Sequence, residues 1–223
     1  MTKIVLLRHG ESVWNKKGLF TGCHDVGLSR LGEAEARKAG RVLKKNGFVF
    51  NYAFSSPLKR VRRTLDLVLS AMQTSGVPIK INPALNERRY GDLEGKNKKS
   101  LTKQYGESQV FLWRRSYATR PPGGESLKDV EKRVAPYWRQ AVLPVLKKGK
   151  SIILVASGNS LRALVKYLDK IPAAEVATLN IPTGLPLVYE FDDKFKPLRH
   201  YYLASPKELA AAVKKVAHQA KAK

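Results

Sequence analysis

The sequence places a histidine directly beside an arginine at the end of a short aliphatic run. Residues 4–7 are typical of a buried strand, and Arg8, His9 and Gly10 follow at once. Ligands usually bind at the strand ends of an α/β sheet. There an imidazole can attack a phosphoryl group, a guanidinium can bind the phosphoryl oxygens, and a glycine lets the backbone approach closely. His9 is therefore a candidate nucleophile, although a histidine taken alone is more often a structural hydrogen-bonding group.

Other predicted strands also end in polar or charged residues. One leads to Arg60, a second to Glu87, and a third to Ser157 and Asn159. If these strands are parallel to the first, their ends meet at one edge of the sheet. Glu87 could then donate and accept protons while the arginines fix the geometry of a phosphate. The alternative is that Glu87 forms a surface ion pair with one of the neighbouring arginines.

The order of elements predicts how such residues are positioned. Strands are expected at residues 4–7, 51–55, 79–81, 151–156, 185–191 and 198–203. Helices are expected at 31–45, from Pro57 to 72, in part of 101–116 with Gly106 as a break, from 127 past Pro136 to about 148, and after the polar turn 157–160 to 168. This alternation predicts an α/β fold with a mostly parallel central sheet and helices on both faces.

The last segment is rich in alanine and lysine. Residues 206–223 are expected to form a frayed amphipathic helix or a solvated tail, of which the tail is favoured. The chain is accordingly divided into one domain over residues 1–205 and a basic C-terminal tail over residues 206–223.

Composition narrows the class of protein. The chain has 223 residues, of which 43% are hydrophobic and 27% charged, which fits one folded domain. Its single cysteine, Cys23, excludes an intramolecular disulfide and a cysteine-built zinc site, and it fits a reducing compartment. No apolar run approaches the ~18 residues of a membrane span. The apolar N-terminus is too short for a signal peptide, so a cytoplasmic location is expected by elimination.

The charge of the chain is its most unusual property. Lysine and arginine number 42 against 18 acidic residues, a formal net charge of +24. Such a field favours anionic ligands, among them phosphorylated metabolites, nucleic acid and acidic lipid. A basic stripe with interleaved aromatic residues is missing from the sequence, so nucleic acid is an unlikely partner and a membrane is not expected. A solvated basic surface is the simplest interpretation of most of the lysines.

Short blocks of polar residues and glycine recur in order along nearly the whole chain. They are Arg8-His9-Gly10-Glu11-Ser12, Trp14-Asn15, Phe20-Thr21-Gly22, Leu58-Lys59-Arg60, Leu85-Asn86-Glu87-Arg88, Tyr90-Gly91-Asp92-Leu93, Trp113-Arg114-Arg115-Ser116-Tyr117, Glu125-Ser126-Leu127-Lys128-Asp129, Gly158-Asn159-Ser160-Leu161-Arg162 and Asn180-Ile181-Pro182-Thr183-Gly184. Together they resemble the cofactor-dependent phosphoglycerate mutases of the histidine phosphatase superfamily, in a short form.

This resemblance implies roles for the matching residues. His9 would be the phosphorylated nucleophile, Glu87 the general acid and base, and Arg8 and Arg60 the ligands of the transferring phosphoryl group. The substrate would be bound by Asn15, Thr21, Gly22, Tyr90, Lys98, Arg114, Arg115 and Asn159. The resemblance also implies 2,3-bisphosphoglycerate as phosphoryl donor, small phosphorylated metabolites as partners, and no metal.

One catalytic position departs from the family pattern. Where the family has His-Gly-Asn, this chain has Ser157-Gly158-Asn159. The family's second histidine donates a hydrogen bond to the transferring phosphoryl oxygens, whereas a serine gives one weaker bond and carries no positive charge. Loss of one such donor typically costs ~10²–10³ in rate. His24 lies soon after Gly22 and is a candidate substitute, but an exposed loop histidine is the simpler interpretation.

A second departure concerns the active-site rim. Only Gly123 and Gly124 separate Pro122 from Glu125, where longer relatives carry an insertion. That insertion lies near subunit contacts in those relatives, so a monomer or a small homo-oligomer is expected here, with a more open site.

Several functions remain open at this stage. The first is interconversion of 3- and 2-phosphoglycerate through phospho-His9, at a rate reduced by Ser157. The second is a relative that binds phosphorylated ligands with little or no catalysis, and a phosphatase is a further option.

Overall fold

The computed structural model of the chain describes residues 2–218, which form a central sheet covered by helices. The strands are β1 (Thr2–Arg8), β2 (Tyr52–Ser55), β3 (Ile79–Ile81), β4 (Ile152–Ala156), β5 (Leu187–Phe191) and β6 (Pro197–Tyr202). Their order across the sheet is β3-β2-β4-β1-β5-β6. The first four run parallel to one another, and β5 and β6 are antiparallel additions at one side.

The helices lie on both faces of the sheet, as predicted. They are α1 (Val13–Lys16), α2 (Arg30–Lys45), α3 (Lys59–Met72), α4 (Lys98–Tyr105), α5 (Glu107–Arg115), α6 (Leu127–Tyr137), α7 (Leu143–Lys147), α8 (Gly158–Asp169) and α9 (Pro206–His218). Alternate side chains of β1 belong to two separate cores: Ile4 and Leu6 pack with α6 and α8, while Val5 and Leu7 pack with α2 and α3. This burial on both sides explains why the strand sequences are continuously aliphatic.

Parallel pairing brings the predicted strand ends together. Arg8 is the register partner of Ala156, and the amide of His9 donates to the carbonyl oxygen of Ala156 at 3.1 Å. Strand β2 pairs with the other side of β4, so the turn that leads into Arg60 opens at the same edge. The carboxyl ends of β1, β2 and β4 therefore deliver His9, Arg60 and Ser157 side by side.

The helix expected to run from residue 127 to about 148 is interrupted in the middle. Residues 138–142 form a wider turn, in which the amide of Leu143 donates to the carbonyl oxygen of Trp138. Pro136 and Pro144 lie on either side of this turn, and neither has an amide hydrogen for the regular ladder. The missing donors favour such a local π-type turn between α6 and α7.

Gly106 separates α4 from α5, as the sequence predicts. Its φ of +81° is strained for residues with a side chain, and it ends one helix while beginning the next. The α4–α5 pair packs Leu101, Val110 and Trp113 into a small separate core with Phe20 and Leu93. This satellite core supports the two helices that carry Lys98 and Arg114.

The chain after residue 205 forms a helix over the part that the structure describes, rather than the solvated tail favoured above. Helix α9 lies against α2: Lys38 pairs with Glu208 at 2.6 Å, and Lys215 Nζ lies 3.3 Å from Glu35 and 3.7 Å from Glu11. Glu11 is two residues from His9, so α9 reaches the rim of the strand-end edge. Residues 219–223 lie outside the described residues, and the proposed domain boundary at 205/206 stays a prediction.

Because ion pairs fix α9 at the rim, its docking should depend on salt. Exposed ion pairs contribute about 0.2–1 kcal/mol each, and at ~1 M salt the screening length falls to ~3 Å. We expect Lys215→Met or high salt to lower hydrogen-exchange protection of α9 by roughly 1.5- to 5-fold. Lys207→Met is the control, because Lys207 is exposed and forms no ion pair within residues 2–218. Unchanged protection both in Lys215→Met and at high salt would contradict a contribution of ion pairs to the docking of α9.

None of the helices within residues 2–218 is long and apolar enough to cross a bilayer.

Candidate active site

A cavity opens at the carboxyl edge of the parallel strands. Its walls come from β1, the loop 19–22, the segment 87–90, α4, α5, the start of α8, the loop near residue 181, and α9. Its charged lining residues are five cations and one carboxylate: Arg8, Lys98, Arg114, Arg115, Arg162 and Glu87. Such an excess of positive charge in a concave site favours a ligand with more than one negative charge.

His9 is buried next to this cavity, and its hydrogen bonds define its tautomer. Its ring is 3% exposed, with Nδ1 2.7 Å from the carbonyl oxygen of Gly10 and Nε2 3.3 Å from Nε of Arg60. A carbonyl oxygen only accepts, so Nδ1 carries the proton, and Nε2 has a lone pair that accepts from Arg60. Nε2 is therefore the atom that can attack phosphorus. His9 as a structural group in apolar packing does not agree with these polar partners.

The charges around His9 keep it neutral. Burial, together with the charges of Arg60 and Arg8, holds the pKa of His9 well below its usual range. A neutral imidazole at physiological pH is the nucleophilic form. Arg60 is itself fixed, because its Nη1 and Nη2 donate to the carbonyl oxygens of His24 and Gly22 at 2.7 and 2.8 Å.

Glu87 lies in the cavity wall and not in a surface ion pair. It is 8% exposed, and its Oε1 accepts from the backbone amides of Arg88 at 2.7 Å and Asn159 at 3.2 Å. Within residues 2–218 its carboxylate forms no salt bridge. Since Oε1 is held by two amides, Oε2 is the oxygen available for proton transfer.

Ser157 occupies the predicted position beside His9 but forms no contact that could replace an imidazole. It is completely buried, and its Oγ has no hydrogen-bond partner among the described residues. It caps the N-terminus of α8 through its backbone only. His24 offers no substitute: its side chain is 54% exposed, lies 3.3 Å from Glu94 and packs against the ring of Trp14.

The predicted substrate-binding residues all line the cavity. They are Asn15, Thr21, Gly22, Tyr90, Lys98, Arg114, Arg115 and Asn159. His9, Arg60 and Ser157 lie next to lining residues but outside the lining itself. Thr21 has a buried Oγ1 without a partner among residues 2–218, which leaves it available to a ligand. Gly22 has a φ of +52°, and a Cβ there would collide with the carboxylate of Glu94.

Arg115 differs from the other predicted ligands, because most of its guanidinium is occupied. Its Nε donates to the carbonyl oxygen of Ala177, and its Nη2 donates to the carbonyl oxygen of Leu179 and to Oδ1 of Asn180. Arg115 thus holds the loop 177–180 in place. Contact between Arg115 and a substrate stays a prediction.

Six residues of the cavity wall are assigned no role by the sequence alone: Leu19, Phe20, Gly158, Arg162, Ile181 and Val216. Arg162 lies three residues after Asn159, on the same side of α8, and this spacing is the signal that could have found it. Val216 lines the cavity from α9. The sequence around Val216 does not indicate this position, because only the packing of α9 on α2 brings the residue to the cavity.

Lys98 should make ligand binding depend on pH. Burial, and secondarily the charges of Arg114 and Arg8, lower the pKa of Lys98 to about 7. A bound anion favours the charged ammonium, so affinity should be full below pH 7 and fall as pH rises above it. We expect the Kd for 3-phosphoglycerate to increase by up to about tenfold per pH unit there, measured by calorimetry.

Two variants of Lys98 isolate this effect. Lys98→Arg keeps a charge throughout the range and should flatten the profile at high affinity, while Lys98→Met should flatten it at low affinity. A profile in Lys98→Met that still falls above pH 7 would show that another group is responsible. The phosphate ester itself titrates near pH ~6, which affects only the acidic side of the profile.

Comparison with known proteins agrees with this fold. Residues 4–203 match the model of the histidine phosphatase superfamily (branch 1). The match spans most of the chain, so the protein belongs to this superfamily.

Three solved structures show what the chain is similar to. A mycobacterial glucosyl-3-phosphoglycerate phosphatase solved with VO3 is 25% identical, with a TM-score of 0.76 over 91% of this chain and 97% of that one. A putative α-ribazole-5'-P phosphatase from Escherichia coli is 25% identical, with a TM-score of 0.74 over 90% and 94%. The α-ribazole phosphatase from Shigella flexneri is 26% identical, with a TM-score of 0.74 over 88% and 94%. All three are described as phosphatases.

Proposed function

We propose that this protein transfers phosphoryl groups through His9 and interconverts 3-phosphoglycerate and 2-phosphoglycerate, as a short cofactor-dependent phosphoglycerate mutase whose rate is limited by Ser157. The observation that carries this proposal is the neutral His9, whose Nε2 lone pair faces Arg60, next to a cavity with five cations and one carboxylate. Nucleophile, phosphate ligands and proton donor are then within one site.

The proposed reaction has two transfers. Nε2 of His9 attacks phosphorus, the bond from phosphorus to the ester oxygen breaks, and Glu87 protonates the leaving oxygen. Arg60 must release Nε2 before this attack, and its Nε–H can then donate to a phosphoryl oxygen while Arg8 binds another. In the reverse sense, a substrate hydroxyl attacks phospho-His9 and Glu87 takes up its proton.

The charges beyond those needed for one phosphate support a substrate with a second anionic group. Arg8 and Arg60 suffice for the transferring phosphoryl group, whereas Lys98 and Arg114 lie on the α4–α5 wall. A carboxylate or second phosphate fits there by charge. The same residues fit 2,3-bisphosphoglycerate, which when bound supplies the phosphoryl group that first loads His9.

A phosphatase that acts on the same class of substrate is the second candidate. The similar structures described above are phosphatases, one of them for glucosyl-3-phosphoglycerate. Only two residues separate Pro122 from Glu125; by the family resemblance, this short segment leaves the active-site rim more open, which would favour attack by water on phospho-His9. Both candidates share the first transfer and differ only in the acceptor.

Chemical quench with ³²P-labelled 2,3-bisphosphoglycerate tests both. Acid-labile, base-stable label on the protein identifies phosphohistidine. Product analysis after addition of 3-phosphoglycerate then separates 2-phosphoglycerate from inorganic phosphate. Absence of label at saturating donor, with binding intact by calorimetry, would contradict both and leave a protein that binds phosphorylated ligands without catalysis.

A further inference from the structure

The oxygen of Tyr90 receives two hydrogen bonds from groups that can only donate. Nη2 of Arg88 lies 3.0 Å from it, and Nδ2 of Asn159 lies 3.3 Å from it. Neither nitrogen can accept the phenolic proton. Within residues 2–218 the Tyr90 hydroxyl donates no hydrogen bond to protein, and Tyr90 lines the cavity. Its proton is thus left for a ligand.

This arrangement depends on which way the amide of Asn159 points, and Arg162 determines that. Nη1 of Arg162 lies 2.8 Å from Oδ1 of Asn159. A guanidinium has no acceptor, so the amide oxygen must face Arg162 and the NH₂ group must face Tyr90. A reversed amide would place Oδ1 against the Tyr90 oxygen, where it would accept the phenolic proton.

Arg162 is itself held rigidly. It is 3% exposed, and its other nitrogens donate to the carbonyl oxygens of Leu179, Val176 and Arg115 at 2.8–3.1 Å. Asn159 also donates its backbone amide to Glu87, so one residue joins the Tyr90 hydroxyl to the proposed acid–base group. Burial, with the charge of Arg115, lowers the pKa of Arg162, but an arginine remains charged in proteins.

We propose that Arg162 is a positioning residue: by fixing the amide of Asn159 it directs the Tyr90 hydroxyl into the cavity as a hydrogen-bond donor to the anionic oxygen of the ligand. This inference deepens the proposed function and rests on it for the identity of the ligand. Arg162 acts through Asn159 and Tyr90, which distinguishes it from the cations that attract the ligand by charge. Within this network, the effect of Arg162 on binding should therefore require the Tyr90 hydroxyl.

The test measures by calorimetry how far Tyr90→Phe lowers the affinity for 3-phosphoglycerate, in the wild-type protein and in variants of Arg162 and Asn159. In the wild type we expect affinity to fall about tenfold or more, as for loss of a hydrogen bond to a charged group. In Arg162→Lys, which keeps the charge but loses the planar fork, the same change should have no further effect. In Asn159→Asp, whose carboxylate accepts the phenolic proton, it should again have none.

Arg115→Lys is the matched control. Arg115 holds the same loop carbonyl of Leu179 but forms no hydrogen bond to Asn159, so Tyr90→Phe should keep its full cost in this background. An equal cost of Tyr90→Phe in the wild type and in Arg162→Lys would overturn the proposal. A loss of the effect in Arg115→Lys as well would reduce Arg162 to a loop support.

A ligand-free measurement separates this inference from the proposed function. With ¹³C-labelled tyrosine, assigned by the Tyr90→Phe spectrum, the Tyr90 phenol can be titrated directly. The charge of Arg88 lowers the pKa of Tyr90, against the effect of burial. A reversed amide stabilises the phenol, so Arg162→Lys should raise the pKa of Tyr90 by about one unit, a change of ~1.4 kcal/mol. An unchanged titration overturns the inference, even if turnover is found; absent turnover with the expected titration overturns only the proposed function.

Discussion

Replacement of His9 by alanine is expected to abolish both protein labelling and turnover. In enzymes that work by covalent catalysis, loss of the nucleophile typically costs roughly 10⁶-fold in kcat. Here every transfer passes through Nε2 of His9, and none of the other histidines within residues 2–218 lines the cavity. The measurement is the quench with labelled 2,3-bisphosphoglycerate, together with a coupled mutase assay and a phosphate-release assay.

Binding should survive this change, because the cations of the cavity remain. Calorimetry with 3-phosphoglycerate should give a Kd within a few-fold of the wild type, or lower, since removal of the imidazole frees Nε of Arg60. His200→Gln is the control. His200 lies on strand β6 at the edge of the sheet and pairs with Asp169 of α8, so this substitution should not affect labelling. Label retained by the His9→Ala protein would place the nucleophile elsewhere and remove the basis of the mechanism.

Much of the fold could be predicted from the sequence because its strands are short and aliphatic. Continuous burial on both faces of β4 leaves a run such as Ile152–Ala156, which predicts a central parallel strand directly. Gly106 likewise predicted the boundary between helices α4 and α5. The wide turn at residues 138–142 could not be predicted, because two prolines allow either a kink or a break and packing decides between them.

Some residues of the candidate site could likewise be predicted from the sequence, and others could not. His9, Arg60 and Ser157 directly follow strands or open the helix after one, so parallel pairing alone places them together. Arg162 depends on the hydrogen-bond partners of its guanidinium, which a sequence does not contain. Val216 depends on how α9 packs on α2, and its own segment resembles a solvated tail.

Restoring a histidine at Ser157 is expected to raise kcat by ~10²–10³, the usual value of one preorganised donor to a developing charge. The position lies at the end of β4, one residue beyond the Arg8–Ala156 pair, so an imidazole there would stand next to the phosphoryl group on His9. Ser157 Oγ has no partner to lose among residues 2–218, and the change removes no hydrogen bond. The coupled mutase assay reports the gain.

The gain should also have a defined pH dependence. An imidazolium donates more strongly than a neutral imidazole, and burial beside the arginines should lower the pKa of a histidine here, as it does for His9. The advantage of Ser157→His over the wild type should therefore be largest at acidic pH and decrease as the new imidazole loses its proton. Ser157→Asn adds a neutral donor of similar size and should give a smaller gain without this pH dependence, while Ser157→Ala should change activity little.

Two controls make the result decisive. Ser157→His combined with His9→Ala must be inactive, because the new imidazole is a donor and cannot replace the nucleophile. Thermal unfolding must show that Ser157→His folds, since the wild-type side chain is completely buried and an imidazole must extend toward the cavity to avoid overpacking. A folded Ser157→His protein that binds 3-phosphoglycerate but gains no activity would contradict the claim that this position limits the rate. Slow catalysis would then have to arise from the acceptor step, in which water or a substrate hydroxyl reaches phospho-His9.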